Sequence, residues 1–175
     1  PKGPKALHNQ GRRAFRYVRM IVPDGRGPLS LESVVVTHQH YPVNEEGSFS
    51  CSDPQVNKIW DLCVYTTKLC MQQWYEDGIK RDGLLWVSDY RVQYLCNTLA
   101  FGDRDLARKS LLLTAASQFP DSGAIPAQAS RGGAYQHPWY INYMPGIPRG
   151  VSNWVLVNYS LDYIGIVRDY YLHTG

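Results

Sequence analysis

The 175 residues contain four cysteines, no CxxC pair and no Cys/His cluster at zinc-binding spacing. A structural zinc site is therefore not expected. Cys63 and Cys70, placed on one helix, would stand about 10 Å apart by helical rise, too far for a disulfide. Cys51, Cys63, Cys70 and Cys96 are accordingly read as buried thiols. No apolar run has membrane length and none reads as a signal segment, so no membrane partner is expected and the compartment is left unknown. Basic residues are not interleaved with aromatics in any tract, which argues against nucleic acid. The charge is nonetheless uneven: residues 1–50 hold seven Lys/Arg against four Asp/Glu, while the remainder balances at eleven each. Neither repeats nor low-complexity tracts occur.

What is present is an ordinary globular composition, 44% hydrophobic and 19% charged, long enough to bury a core. Thirteen Tyr and five Trp serve cores and sugar-binding surfaces equally well. Residues 15–22 and 29–41 are rich in β-branched and aromatic side chains around the turn-forming PDGRGP, and predict two strands. At CSDPQVNKIW the character changes. Asp53 or Ser52 can cap a helix with Pro54 in its first turn. Val56, Ile59, Trp60, Cys63, Val64, Thr67, Cys70, Met71 and Trp74 then mark one apolar face, which predicts a helix ending near Glu76.

A second helix is expected from about Trp86 to Phe101, stopped by Gly102. A third is capped by Asp103 with Leu106, Ala107, Ser110, Leu111 and Thr114 inward, and a last runs from Val151 to His173. Between them lie about thirty residues dense in Gly, Pro and aromatics. The fold class is thus mainly α with a short N-terminal β part, its helical hairpins packed in a ring or layer. A chain that starts in a sheet and finishes on a helix with an unmatched apolar face is expected to belong to a longer protein.

The stretch YEDGIKRDGLLWVSDY, residues 75–90, joins the first two helices, at the end of the scaffold where chemistry concentrates. Gly78 and Gly83 let the backbone turn so that Asp77, Asp82 and Asp89 can converge. Arg81 can orient a carboxylate and Trp86 offers a flat apolar wall. Carboxylates beside an aromatic platform suit a sugar, whose hydroxyls need charged acceptors and whose C–H faces stack on rings. The same residues also read as caps and solvated ion pairs near helix ends. Glu76, at a helix C-terminus where the dipole disfavours it, reads as solvent-facing. His38 and His40 share one face of the second strand, but two ligands do not make a metal site. In GGAYQHPWYINYMP, His137, Trp139, Tyr140 and Tyr143 either line a pocket or pack the loop.

GSFSCSDPQVNKIWDLCVYTTKLC followed by DGIKRDGLLWVSD resembles the bacterial α-L-rhamnosidases of glycoside hydrolase family 78, at the junction of a β-sandwich and an (α/α)6 barrel. The shared pattern is Asp-x-x-x-Arg-Asp/Glu followed by Trp-x-x-Asp, here Asp77, Arg81, Asp82, Trp86 and Asp89. The likeness is most specific over residues 47–90. It implies residues 1–46 as the end of the sandwich and linker, and 47–175 as the N-terminal part of a truncated barrel. It also implies inverting hydrolysis of terminal α-L-rhamnosyl bonds, with Asp82 as general acid. Asp77, Arg81, Trp86 and Asp89 would bind substrate, and Trp139 is added as a lining residue.

Two departures stand out: the acid is Glu in many relatives, and Gly78 stands where they often have Cys. No cofactor is expected. The general base would come from a later barrel loop, so this segment alone should be inactive and needs the rest of its chain. Rival readings are a non-catalytic carbohydrate-binding relative and another glycosidase on the same barrel.

Overall fold

The computed structural model describes residues 12–21, 30–80, 82–119, 122–129 and 155–175. Four helices organise them: α1 (Pro54–Cys70), α2 (Val87–Ala100), α3 (Asp105–Ala116) and α4 (Val157–Thr174). Helix α2 is central, packed on α1 and most extensively on α4, while α3 packs on α4 as well. Among the described residues no helix is long and apolar enough to cross a membrane.

Helix α1 begins as its sequence dictates. Asp53 Oδ1 accepts the Gln55 N–H at 2.8 Å and Pro54 fills the first turn, where no N–H is needed. It ends at Cys70, six residues short of the expected limit. Trp74, Tyr75 and Glu76 are all buried, and three consecutive residues cannot share one helix face. The chain instead turns extended at Met71, which pairs with Tyr75 in an isolated antiparallel bridge. Gln72 satisfies the opened end, its side-chain amide donating to Leu69 O at 2.9 Å. The expected apolar face is buried only in its second half, at Val64, Thr67, Cys70, Met71 and Trp74. Val56 and Ile59 are 40% and 53% exposed, while Trp60 is half-buried against the core edge and meets Phe49.

Gly102 at φ 64° stops α2, its N–H reaching back to Asn97 O. Asp103 then accepts the Leu106 N–H at 3.0 Å, the capping role expected of it. Leu106, Ala107, Ser110, Leu111 and Thr114 are the buried residues of α3, the five expected inward. Helix α4 starts at Val157 rather than Val151; residues 151–154 lie outside the described residues. The core these helices enclose centres on Tyr75 stacked against Tyr90, ring centroids 6.0 Å apart, with Met71, Leu85, Val87, Leu106 and Ile166 around them.

Two expectations need correction. Residues 15–21 and 30–41 form no strand, and Tyr17, Val35 and most of their other apolar side chains are exposed. A strand is held by its ladder partner, and no segment among the described residues lies alongside to supply one. The thiols also divide: Cys70 is buried, Cys96 is intermediate, and Cys51 and Cys63 are exposed. All four remain free thiols.

Candidate active site

The loop from Tyr75 to Trp86 is closed at its base by backbone and side chain together. The Asp77 N–H donates to Leu84 O at 3.0 Å and Asp77 Oδ1 accepts the Leu84 N–H at 2.9 Å. Trp74 Nε1 adds a bond to Gly83 O at 3.3 Å. Between these ties the chain reverses through Asp82 and Gly83, both at φ 64°. The left-handed region suits glycine, and aspartate is among the side chains that tolerate it best. Such a reversal so close to a cluster of acids is a feature of functional loops.

The next residues are pinned by a separate segment. Val87 N–H donates to Ala127 O at 3.0 Å and Ala129 N–H to Leu85 O at 2.9 Å, with Trp86 facing Gln128 across an isolated bridge. Trp86 itself precedes α2, and Asp89 lies in the first turn of that helix, where the dipole favours its negative charge. From the start of α4, Tyr159 donates its hydroxyl to Asp89 Oδ2 at 3.3 Å and meets the Trp86 indole edge-on, centroids 6.3 Å apart. Below it, Asp162 binds Ser88 and accepts Arg91 Nη1 at 2.6 Å, locking α4 to the opening turns of α2. These bonds hold the Asp162 pKa below the usual carboxylate value.

The acids act on one another electrostatically. Burial raises the Asp77 pKa from 3.8 to about 6; the Leu84 N–H opposes this, and the charges of Asp82 and Asp89 add to the rise. Burial likewise raises the Tyr159 phenol, with Asp89, Asp162 and Asp77 contributing. Asp77 and Asp82 are half-buried and Asp89 is more open, while Tyr159 touches both Asp89 and Trp86. Asp77 is thus a carboxyl whose pKa burial raises.

Glu76 is not solvent-facing. It is buried, ion-paired with Arg12, and its backbone carbonyl accepts Gln93 Nε2 at 2.8 Å. A dipole argument places a lone carboxylate in water but does not foresee a cation 64 residues upstream. Tyr159 escaped sequence reasoning for the same reason, since 70 positions separate it from Asp89. Arg81 and Trp139 lie outside the described residues, as do His137, Tyr140 and Tyr143. The His38 and His40 rings stand 4.9 Å apart, and His40 Nδ1 lies 2.6 Å from Tyr41 O. Among the described residues no group of three or more His, Cys, Asp or Glu could hold a metal ion.

Residues 44–150, which include the whole loop, match the model of the bacterial alpha-L-rhamnosidase 6 hairpin glycosidase domain. The chain belongs to this family. Two solved rhamnosidases share its fold. A GH78 family rhamnosidase of Bacillus sp. GL1 superposes with a TM-score of 0.63 at 28% identity, over 78% of this chain and 12% of its own. A rhamnosidase from Klebsiella oxytoca with rhamnose bound gives 0.56 at 28% identity, over 74% of this chain and 22% of its own. This rhamnosidase-family chain thus spans a small part of the length of either. None of the curated proteins compared with it matches. The mainly helical architecture is consistent with a six-hairpin domain, and the matched residues 44–150 hold the acidic loop together with α1, α2 and α3.

Proposed function

We propose that this chain carries the proton-donating part of an α-L-rhamnosidase site, acting on terminal α-L-rhamnosyl groups with inversion. What supports the reading is a loop closed at its base on which the charges of Asp82 and Asp89 act on Asp77, with Trp86 and Asp89 both meeting Tyr159. Asp82 is the general acid. It sits at the backbone reversal it forms with Gly83, two residues before the Leu84 tie to Asp77. There it protonates the glycosidic oxygen as the bond to the anomeric carbon breaks. Asp77 and Asp89 accept hydroxyls of the deoxyhexose, Trp86 packs its C–H face, and Arg81 and Trp139 complete the contacts.

Inversion needs a second carboxylate about 6.5–9.5 Å from the acid to activate water on the opposite face of the ring. We assign that base to a part of the protein outside these 175 residues, so this segment alone should not turn over substrate. Residues 1–46 are assigned to the end of a β-sandwich and 47–175 to the start of the barrel. The rhamnose bound in the Klebsiella oxytoca enzyme supports the substrate class.

A second reading has one observation in its favour. Asp77 is the carboxyl whose pKa rises to about 6, which suits a group that must keep its proton. Its Oδ1 is already engaged by the Leu84 N–H, which fits a fixed hydroxyl acceptor better than a donor that must reach the leaving oxygen. Turnover of a panel of aryl glycosides by the full-length protein tests the function. Preference for the α-L-rhamnoside is expected, and preference for another sugar would overturn it.

A further inference from the structure

The Glu76 side chain is only 5% exposed, and Arg12, its partner, 24%. A carboxylate so placed is tolerable only with its charge compensated, because an unpaired buried ion is strongly disfavoured. Glu76 directly precedes Asp77. Its carboxylate also covers the far side of the loop, since a Cβ on Gly83 would lie 3.5 Å from Glu76 Oε2 and 3.8 Å from Arg12 Nη2. Gly83 in turn directly follows Asp82. One ion pair therefore bears on both arms of the loop, next to each of the two acids. Its cation comes from residue 12, upstream of the family-matched residues 44–150.

We propose that Arg12 and Glu76 are positioning residues, an electrostatic strut through which the upstream segment fixes where the loop holds Asp77 and Asp82. The catalytic consequence rests on the rhamnosidase reading; the mechanical one does not. Without Arg12, the Glu76 carboxylate must move towards water or take up a proton, and either displaces the chain at Asp77 and Gly83. A displacement of about 1 Å in a catalytic group is enough to lower turnover by up to about 100-fold.

The test uses full-length protein carrying Arg12→Gln, Arg12→Lys, Glu76→Gln or the Arg12→Gln/Glu76→Gln pair, with Asp82→Asn alongside. In Arg12→Gln the strut predicts a kcat about 10- to 100-fold lower and faster hydrogen exchange at the Asp77 and Leu84 amides. Arg12→Lys should restore most of both. The double variant should be less impaired than Arg12→Gln, because no charge is left buried. A contribution to stability alone would lower the melting temperature while leaving kcat per folded molecule unchanged.

Unchanged exchange at both amides in Arg12→Gln overturns the strut, as does a kcat within about twofold of wild type in that variant while Asp82→Asn is inactive. Should Asp82→Asn retain full activity on an α-L-rhamnoside of a poorly acidic alcohol while exchange quickens in Arg12→Gln, the acid assignment falls and the strut stands.

Discussion

Replacing Asp77 with Asn should stabilise the folded protein at neutral pH even as it weakens sugar binding. Burial, reinforced by Asp82 and Asp89, raises the Asp77 pKa from 3.8 to about 6. The folded state then holds this proton more tightly than the unfolded chain does. The contribution of Asp77 is therefore fully favourable below about pH 4 and is lost as pH rises towards about 6. At ~1.36 kcal/mol for each pH unit, the rise corresponds to about 3 kcal/mol. Asp77 is only half-buried, and screening by solvent brings the expected effect to about 1.5 kcal/mol. Asparagine keeps an oxygen for the Leu84 N–H but cannot ionise. Urea denaturation of the full-length wild type and Asp77→Asn should therefore show their difference moving in favour of the variant by ~1.5 kcal/mol between about pH 4 and pH 7, then levelling. A difference that stays constant across that range, or that moves in favour of the wild type, would refute the reasoning.

Other perturbations read other parts of the fold. A Cβ at Gly47 would stand 1.7 Å from Leu99 O, where the Glu46 and Gly47 N–H groups dock on Ala100 O, so Gly47→Ala should lose about 2–3 kcal/mol or more in a denaturation experiment. Burial, with Glu76 and Asp77 adding, pushes the Cys70 thiol to about 11, while Cys51 and Cys63 are exposed. Alkylation by iodoacetamide at about pH 8 should accordingly label Cys70 at least ~100-fold more slowly than Cys51 and Cys63 until the protein is unfolded.

Local chemistry was the part of the fold open to sequence reasoning. Asp53-Pro54 and Gly102-Asp103 mark helix boundaries through bonds made within a few residues, and the structure forms those bonds. The inward face of α3 followed from its period. The end of α1 did not, because the apolar pattern runs on through Met71 and Trp74 while the burial of three successive residues breaks the helix. Strands at 15–22 and 29–41 were read from propensity, which describes a pleated surface that has a neighbour; among the described residues none is at hand. Within the site, the spacing of Asp77, Asp82 and Asp89 around two glycines suggested that the three acids could converge, and the charges of Asp82 and Asp89 do act on Asp77. The burial of Glu76 and the arrival of Tyr159 depend on partners 64 and 70 residues away, beyond the reach of any local pattern.

The most direct test of the acid assignment is the leaving-group dependence of full-length Asp82→Asn. On an α-L-rhamnoside of a poorly acidic alcohol, kcat/KM should fall by about 10²- to 10⁴-fold. On a dinitrophenyl α-L-rhamnoside, whose leaving group needs no proton, most of the activity should remain. Equal losses on both substrates, or this pattern in Asp77→Asn instead, would contradict the role given to Asp82.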